Sequence, residues 1–275
     1  FMAKITGCVE DYSGYSVVRH PDNLLWYWGN YVMLFDPPKP EDLPMWIKRA
    51  KECESGNANH VLLRWDGGPL DSGLSIAAKK LGLQWDGGLS MVAHQFPYVE
   101  SSIIEVRQLD WHQDWDAIVA LNILCNATES LGKDKEYVLF SQALRRSWRR
   151  WGEVGVANWW GAFIDGVLVG QCGMVLCADG LGRFQSVETH PKFRRKGVCS
   201  QLITTVGRYA LQNGCHQVWL SADIEGPALA LYRRLGFQDA EIQHGLLYTN
   251  SPLVVRDAEE PDYSEILSIT TSAFD

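Results

Sequence analysis

The sequence lacks the features of a secreted, membrane-spanning or nucleic-acid-binding protein. Its seven cysteines are an odd number without a Cys-x-x-Cys pair, so neither a disulfide framework nor a zinc site is indicated. No apolar run approaches the roughly 18 residues that a membrane-spanning helix needs, and no positively charged and then apolar leader follows Met2. The formal net charge of −8 argues against general binding to nucleic acid or anionic membranes. We therefore expect a reduced, soluble, cytoplasmic protein that binds no metal.

The composition is otherwise that of a globular protein with a sizeable core. Of the 275 residues, 46% are hydrophobic and 21% are charged, which is ordinary for folded domains. The length suits one large or two medium domains, at roughly 100–200 residues each. Strand-like runs such as 15–20 and 60–65 alternate with segments whose apolar residues keep helical spacing, such as 43–53. This alternation predicts an α/β fold with a mixed sheet and flanking helices.

Two short stretches with the same pattern indicate an internal repeat. The run AKKLGLQ at 78–84 resembles YRRLGFQ at 232–238, and each follows a helical pattern. The two runs lie about one domain length apart. The alternative is that any helix ending in Leu-Gly before a strand looks similar. We predict two related halves, residues 2–100 and residues 101–251.

The end of the chain gives a further indication of the repeat. Residues 253–258, followed by 263–269, resemble residues 104–109, followed by 115–121. The first half starts too late to contain such a strand and helix of its own. We therefore hypothesise that the tail, residues 252–275, completes the first half as in a permuted repeat.

The stretch from Ser186 to Ser200 has the features of an anion-binding site. It begins as a strand, breaks at Pro191, passes through the basic run RRKG at 194–197, and continues as a helix. The free N–H groups in the first turn of a helix point at an anion, and the helix dipole favours it. Glycine lets the backbone approach closely. The stretch predicts a pyrophosphate site, and the alternative is a solvated basic turn between two core elements.

The corresponding stretch of the first half lacks these features. Opposite the basic run it has PEDL at 40–43, which is acidic and without glycine, and opposite Tyr232 it has Ala78. Two carboxylates at the start of a helix repel a phosphate. We therefore expect the anion site in the second half alone.

At these positions the second half resembles the GNAT superfamily of acetyl-CoA-dependent N-acetyltransferases. The family signature, Arg/Gln-x-x-Gly-x-Gly/Ala after a strand, is matched by RRKGVC at 194–199, with Cys199 in the last position. A second family block, a helix with a Tyr shortly before Gly-Phe, is matched by ALALYRRLGF at 228–237. Glu225 stands where this block often has Asn. The first half resembles the family only faintly, as a degenerate copy.

The resemblance implies that acetyl-CoA lies between two splayed parallel strands, 183–190 and 217–222. Its amide-bearing arm would pair with backbone groups of Val187 and Thr189, and its pyrophosphate would sit on the amides of residues 195–200. Basic side chains would add screened attraction to the phosphates. The cofactor-binding residues implied in this way are Val187, Thr189, Arg194, Arg195, Lys196, Gly197, Val198, Cys199 and Ser200.

The resemblance also implies direct attack of a primary amine on the thioester in a ternary complex. Tyr232 has the family position of the acid that protonates the leaving thiolate, although its spacing alone would suit a core aromatic. A positioned acid is typically worth about 10²–10⁴-fold in rate. Glu188 is the candidate base, with a solvated strand carboxylate as the alternative, and His190 is a weaker candidate. We do not expect Cys199 to be a nucleophile, because direct transfer needs no covalent intermediate.

The acceptor is expected to be a small-molecule amine or a peptide, and the protein a monomer or homodimer. The first half would shape or cover the acceptor cleft. Two alternatives stay open: an acyl-CoA-binding regulatory module without turnover, and an interaction protein that uses its twelve tryptophans as a platform. The run RRSWRRW at 145–151 fits a helix with a solvated basic face, whose Trp148 and Trp151 turn toward the core. The alternatives are a contact with nucleic acid and a role in binding an acidic acceptor.

Overall fold

Strands alternate with helices in a computed structural model of the chain, which describes residues 7–53, 60–68, 71–99, 101–127, 135–177 and 179–249. The described residues form two compact units. The first takes in 7–91, Ser221–Ala230 and 238–249, and the second takes in 92–220 and Leu231–Phe237. The tail at 252–275, which we hypothesise to complete the first half, lies outside the described residues.

The elements are numbered in chain order. The strands are β1 (Cys8–Tyr12), β2 (Tyr15–Arg19), β3 (Tyr31–Leu34), β4 (His60–Asp66), β5 (Gln84–Trp85), β6 (Gly88–Ala93), β7 (Glu105–Gln108), β8 (Ala157–Ile164), β9 (Val167–Leu176), β10 (Leu181–Thr189), β11 (Gln217–Ala222) and β12 (Gln238–Thr249). The helices are α1 (Leu43–Cys53), α2 (Ser72–Lys80), α3 (Trp115–Ala127), α4 (Lys135–Glu153), α5 (Val198–Gln212) and α6 (Leu229–Arg234).

In the first unit the strands lie in the order β1, β2, β3, β4, β12, β6. The β1–β2, β2–β3 and β4–β12 pairs are antiparallel, whereas β3 and β4 run parallel. Strand β12 comes from the end of the described chain and pairs with β4 from Gln243 to Thr249. The first unit is therefore completed by a strand that follows the second unit in sequence.

Helix α1 packs on the first unit through the face that its spacing predicts. Leu43 and Ala50 are fully buried, and Trp46 and Ile47 pack against the same cluster. The strands contribute alternate residues, since successive side chains of a strand point to opposite faces. The fully buried strand residues of this core include Val17, Val32, Leu34, Val61, Leu63, Trp65 and Leu246.

In the second unit β7, β8, β9 and β10 form antiparallel pairs, and β11 adds to β10 in parallel. The turn between β8 and β9 is Asp165-Gly166, and both residues have left-handed backbones with φ of 51° and 78°. Asp-Gly is favoured in tight hairpins because both central residues must adopt positive φ. The sequence Asp-Gly therefore suits the tight turn that joins β8 and β9.

Helices α4 and α5 pack on opposite faces of the sheet of the second unit. Trp159 of β8 stacks on Trp148 of α4, with ring centroids 4.5 Å apart. The next residue of β8, Trp160, packs instead against Tyr209 of α5. Trp148, Trp151 and Trp159 are fully buried, so the prediction that Trp148 and Trp151 turn toward the core is confirmed.

The interpretation of Arg145 as part of a solvated face is wrong. Its side chain is fully buried, and its guanidinium carbon lies 3.6 Å from the ring centroid of Trp148. Ser141, Leu144 and Trp148 are also buried, so Arg145 lies on the inward face of α4. Helical periodicity alone did not reveal that this face includes a charged residue.

Candidate active site

The parallel strands β10 and β11 are paired only where they begin. Leu181, Gly182 and Arg183 lie opposite residues 217–219, and the pairing ends there. Strand β10 nevertheless continues to Thr189. The predicted splay of these two strands is therefore present in the second unit.

A bulge interrupts β10 just beyond the point of separation. Gln185 pairs with Gly173 of β9, and Glu188 pairs with Gln171, so three steps along β10 match two along β9. Ser186, within the bulge, has a left-handed backbone with φ of 46°. One extra residue reverses which face the following side chains occupy. Glu188 therefore lies on the face opposite to that of Phe184.

The carboxylate of Glu188 is surrounded by polar side chains from three other elements. Gln171 Nε2 of β9 donates to its Oε2 at 2.5 Å, and Asn122 Nδ2 of α3 donates to its Oε1. Arg145 Nη2 of α4 lies 3.7 Å from the same Oε1. The side chain of Glu188 is 16% exposed, so the alternative of a solvated strand carboxylate does not describe it.

The turn between β10 and α5 has the backbone geometry expected of an anion site. Gly197 is the N-cap of α5 and has φ of 86°, and Arg195 is left-handed with φ of 64°. A Cβ at Gly197 would have no heavy atom within 4 Å, so the turn is open to a ligand. Val198, Cys199 and Ser200 form the first turn of α5. Their backbone N–H groups precede the first N–H that donates within the helix, so the helix itself offers them no acceptor.

The basic side chains of the motif face solvent at this turn. Arg194, Arg195 and Lys196 are exposed, and the first turn of α5 has no acidic residue. Val187 and Thr189 lie on the part of β10 that continues beyond its pairing with β11. These are the backbone positions that the resemblance implies for the amide-bearing arm of acetyl-CoA.

Tyr232 lies on α6 and is 8% exposed. Burial raises the pKa of its phenol well above the ordinary value, and electrostatic interactions with the thiols of Cys199 and Cys172 raise the pKa further. The hydroxyl therefore stays protonated throughout the neutral range. Its ring packs edge-on against Phe237 at 5.8 Å. The structure thus brings Tyr232 close to Cys199 in the first turn of α5.

Two further candidates have structural surroundings that fit the expectations for them. Burial raises the pKa of the Cys199 thiol to about 12, so the reactive thiolate is scarce near neutral pH. His190 Nδ1 accepts from the backbone N–H of Lys192 at 3.1 Å and caps the short 3-10 turn Pro191–Phe193. Burial lowers the pKa of His190. Its contact is that of a turn residue.

Glu188 and Tyr232 lie on opposite faces of the sheet of the second unit. Glu188 shares a face with Gln171, which contacts α3 through a hydrogen bond to the carbonyl of Ile118. Cys172, the next residue of β9, points to the other face, where it interacts with Cys199 and Tyr232.

Sequence reasoning missed the partners of Glu188. Asn122, Gln171 and Arg145 come from three elements, and no local motif connects them. The only signal in the sequence was the position of Arg145 between the core residues Leu144 and Trp148 on one helix face. The bulge at Ser186 had no signal, since serine is not a typical left-handed residue.

The corresponding turn of the first unit has the opposite charge. A 3-10 turn, Pro40–Asp42, precedes α1, and its first turn holds Glu41 and Asp42. Its N-cap, Lys39, has an extended backbone, and the following Leu43 is right-handed. Carboxylates at this position repel phosphate.

In the part of the chain that the structure describes, no group of three or more His, Cys, Asp or Glu side chains is placed to hold a metal ion. Within the same residues, no helix has both the length and the apolar character needed to cross a membrane.

Part of the chain matches a protein-family model. Residues 122–237 match the model of the acetyltransferase (GNAT) family. No curated protein sequence matches the chain. The match covers both motifs found in the sequence, the turn at 194–199 and the helix of Tyr232.

Solved structures resemble almost the whole chain in fold. A functionally unknown conserved protein from Staphylococcus epidermidis aligns with a TM-score of 0.75 and 17% identity over 90% of this chain and 96% of its own. A GCN5-related N-acetyltransferase from Kribbella flavida aligns with a TM-score of 0.64 and 13% identity, over 92% and 93%. A tandem GNAT protein from the clavulanic acid biosynthesis pathway aligns with a TM-score of 0.51 and 14% identity, over 81% and 76%.

These likenesses concern the fold, since all three identities are low. They extend over both halves of the chain. The predicted fold class, a GNAT-like mixed sheet with flanking helices in two related halves, is confirmed.

Proposed function

We propose that the second half of the chain, in which residues 122–237 match the model of the acetyltransferase (GNAT) family, moves an acetyl group from acetyl-CoA to a primary amine. The observation that carries this proposal is the separation of β10 from β11 after Arg183, beside a glycine-capped helix with exposed basic residues. A separated strand has backbone groups that need partners. A helix start of this kind suits a pyrophosphate.

The cofactor would be held by backbone more than by side chains. Val187 and Thr189 would pair with the amide-bearing arm, and the amides of the first turn of α5 would bind the pyrophosphate. Arg194, Arg195 and Lys196 would add long-range attraction that salt weakens. Bound acetyl-CoA supplies an electrophilic thioester carbonyl and a thiol leaving group.

Glu188 is proposed as the base that accepts a proton from the acceptor amine, directly or through a water molecule. An amine must be neutral to attack a carbonyl carbon, so a nearby proton acceptor is needed. Glu188 is partly exposed and lies immediately after the bulge, on the stretch of β10 that has left β11. A carboxylate there would also attract the cationic form of an amine before the proton is removed.

Tyr232 is proposed as the donor to the leaving sulfur. Because burial raises its pKa, it keeps its proton at Oη wherever the enzyme works and can always donate. The same shift makes the phenol a weak acid. Its contribution would therefore begin as a hydrogen bond to a developing thiolate, and proton transfer would follow as the sulfur charge grows.

The first half, residues 2–100, is proposed as a degenerate copy without a cofactor site, and residues 101–251 as the acetyltransferase domain. The acidic turn at Glu41 and Asp42 supports a single acyl-CoA site per chain. Six of the seven cysteines, Cys8, Cys125, Cys172, Cys177, Cys199 and Cys215, are free thiols, which suits a reducing compartment, so a cytoplasmic location belongs to the proposal. The acceptor is a small-molecule amine or a peptide, and the protein is a monomer or homodimer.

The alternative of a tryptophan platform has little structural support. Among the residues that the structure describes, Trp65, Trp148, Trp151 and Trp159 are in the cores, and the exposed tryptophans are Trp28 and Trp85. The alternative of an acyl-CoA-binding module without turnover shares the cofactor site with our proposal. The two differ in the use of Tyr232 and Glu188.

A thiol-release assay tests the proposal. Purified protein is mixed with acetyl-CoA and a panel of amines, amino acids and peptides, and free CoA is measured. We expect at least one amine to raise CoA release well above the amine-free rate, and Glu188→Gln to remove most of that increase. Acetyl-CoA binding without release for any amine would support the regulatory module, and failure to bind would end both acyl-CoA proposals.

A further inference from the structure

The polar residues around Glu188 form a connected group inside the second unit. Ser141 Oγ donates to Asn122 Oδ1 at 2.7 Å, which turns the amide nitrogen of Asn122 toward Glu188. Gln171 Nε2 donates both to Glu188 and, at 3.3 Å, to the carbonyl of Ile118. The group thus connects α3, α4, β9 and β10 at one carboxylate.

The partners of Glu188 are much less accessible than Glu188 itself. Arg145, Gln171 and Ser141 are each 0% exposed, and Asn122 is 6% exposed. Glu188 keeps 16% of its side chain exposed. The group is therefore a buried support with one end open, and the open end is the carboxylate.

Stability alone is a poor reason for such a group. A buried ion pair rarely stabilises a protein more than well-packed apolar residues of the same size, because both charges lose their hydration. Here a charged residue, Arg145, occupies a core position of α4 between Leu144 and Trp148. The group instead fixes the orientation of the Glu188 carboxylate, since both of its oxygens accept from an amide and one also faces a cation.

We infer that Asn122, Gln171 and Arg145 are positioning residues that hold the Glu188 carboxylate, ionised and fixed in orientation, toward the acceptor amine. This inference rests on the proposed function of Glu188. The two amides set the plane of the carboxylate, and Arg145 supplies its counter-charge. None of the three needs to touch the substrates.

A double-mutant cycle with Gln171→Met separates positioning from general damage. Methionine has a similar volume without a donor, and Gln217→Met, the same change at the start of β11, is the matched control. We expect Gln171→Met to lower kcat by about tenfold or more, with KM for acetyl-CoA within about twofold. In a Glu188→Gln background the same change should alter kcat by less than about twofold, because its effect acts through Glu188. An undiminished loss in that background would overturn the inference and leave the proposed function standing.

The pH profile gives a second readout that a purely structural role would not move. Arg145→Met removes the cation beside the carboxylate, so the acid limb of kcat/KM should move to higher pH. Arg145→Lys should restore part of the shift. If the acid limb of kcat/KM stays at the same pH in a folded Arg145→Met protein, the role of Arg145 is contradicted.

A third readout needs no turnover. In NMR spectra of the free protein, Glu188→Gln should shift the side-chain amide signals of Asn122 and Gln171, because both donate to the carboxylate. Unmoved signals would overturn the inference. Shifted signals in a protein that releases no CoA with any amine would reject the proposed function while the hydrogen-bonded group around Glu188 stands.

Discussion

Tyr232 is the residue whose role depends most directly on its surroundings. A phenol that is buried beside two thiols loses hydration in its ionised form and gains repulsion from any negative charge on sulfur. Both effects raise the pKa of Tyr232. The residue is thus suited to donate a hydrogen bond at all working pH values and unsuited to act as a base.

Replacing Tyr232 with Phe should separate chemistry from binding. The change removes one hydroxyl and keeps the ring that packs on Phe237. We expect kcat to fall by about 10²-fold or more, since a positioned acid is worth at least this much, while the affinity for acetyl-CoA stays nearly unchanged. Steady-state kinetics and calorimetry on the same protein check this, and equal losses in both would mean that Tyr232 is structural.

At the scale of single residues, the sequence predicted those that belong to local motifs. Gly197 and Tyr232 could be identified because turn and helix patterns fix their positions along the chain. Arg145 was misread and Asn122 was missed because their contact with Glu188 joins residues that are 43 and 66 positions apart in sequence. Such contacts depend on how helices pack, which spacing along one helix does not specify.

At the scale of elements, strand β10 determines the geometry of the site. Its strand character and its end near Pro191 were predicted, but the bulge at Ser186 was not. The bulge lies on the stretch that runs free of β11, and it turns Glu188 toward α3 and α4. A bulge arises from pairing between strands, so the sequence of a single strand gives little sign of it.

At the ends of two strands the first unit holds two buried histidines, His20 just after β2 and His60 at the start of β4, which should make this unit sensitive to acid. His20 Nδ1 lies 2.7 Å from the carbonyl of Gly29, and His60 Nε2 lies 3.0 Å from that of Asn30. Burial lowers the pKa of both histidines. Below the ordinary histidine pKa of about 6.5, the unfolded chain binds protons that the folded chain does not, so stability falls as the pH falls.

Thermal melts between pH 7.5 and pH 5.5 test this expectation. The melting temperature of the first unit should fall across this interval. His60→Gln keeps an N–H donor for the carbonyl of Asn30 but cannot take up a proton. The melting temperature of this variant should therefore fall less over the same pH interval. An identical pH dependence in the two proteins would contradict the assignment to His60.

At the scale of the whole molecule, the two halves share a fold but differ in the charge of one turn. Each half has a parallel strand pair with a helix between its strands in sequence, β3–α1–β4 and β10–α5–β11. Only the second has a glycine cap and basic residues before the helix, whereas the first has Glu41 and Asp42. This contrast could be predicted from the sequence because charge and glycine are local properties. The pairing of β12 with β4 could not, since the whole second unit lies between these two strands in sequence.

Calorimetric titration with acetyl-CoA tests the central claim most directly. Gly197→Ala forces a Cβ into a left-handed position at the proposed pyrophosphate site, and Gly14→Ala makes the same change in a turn of the first unit. Gly197 and Gly14 have φ of 86° and 88°, with no heavy atom within 4 Å of an added Cβ, so their local strain is matched.

We expect the unaltered protein to bind one acetyl-CoA per chain. Gly197→Ala should weaken binding by about tenfold, the effect of roughly 1.4 kcal/mol, and Gly14→Ala should leave it unchanged. Two sites per chain, equal effects of the two substitutions, or no binding at all would contradict the account of a single cofactor site at the start of α5.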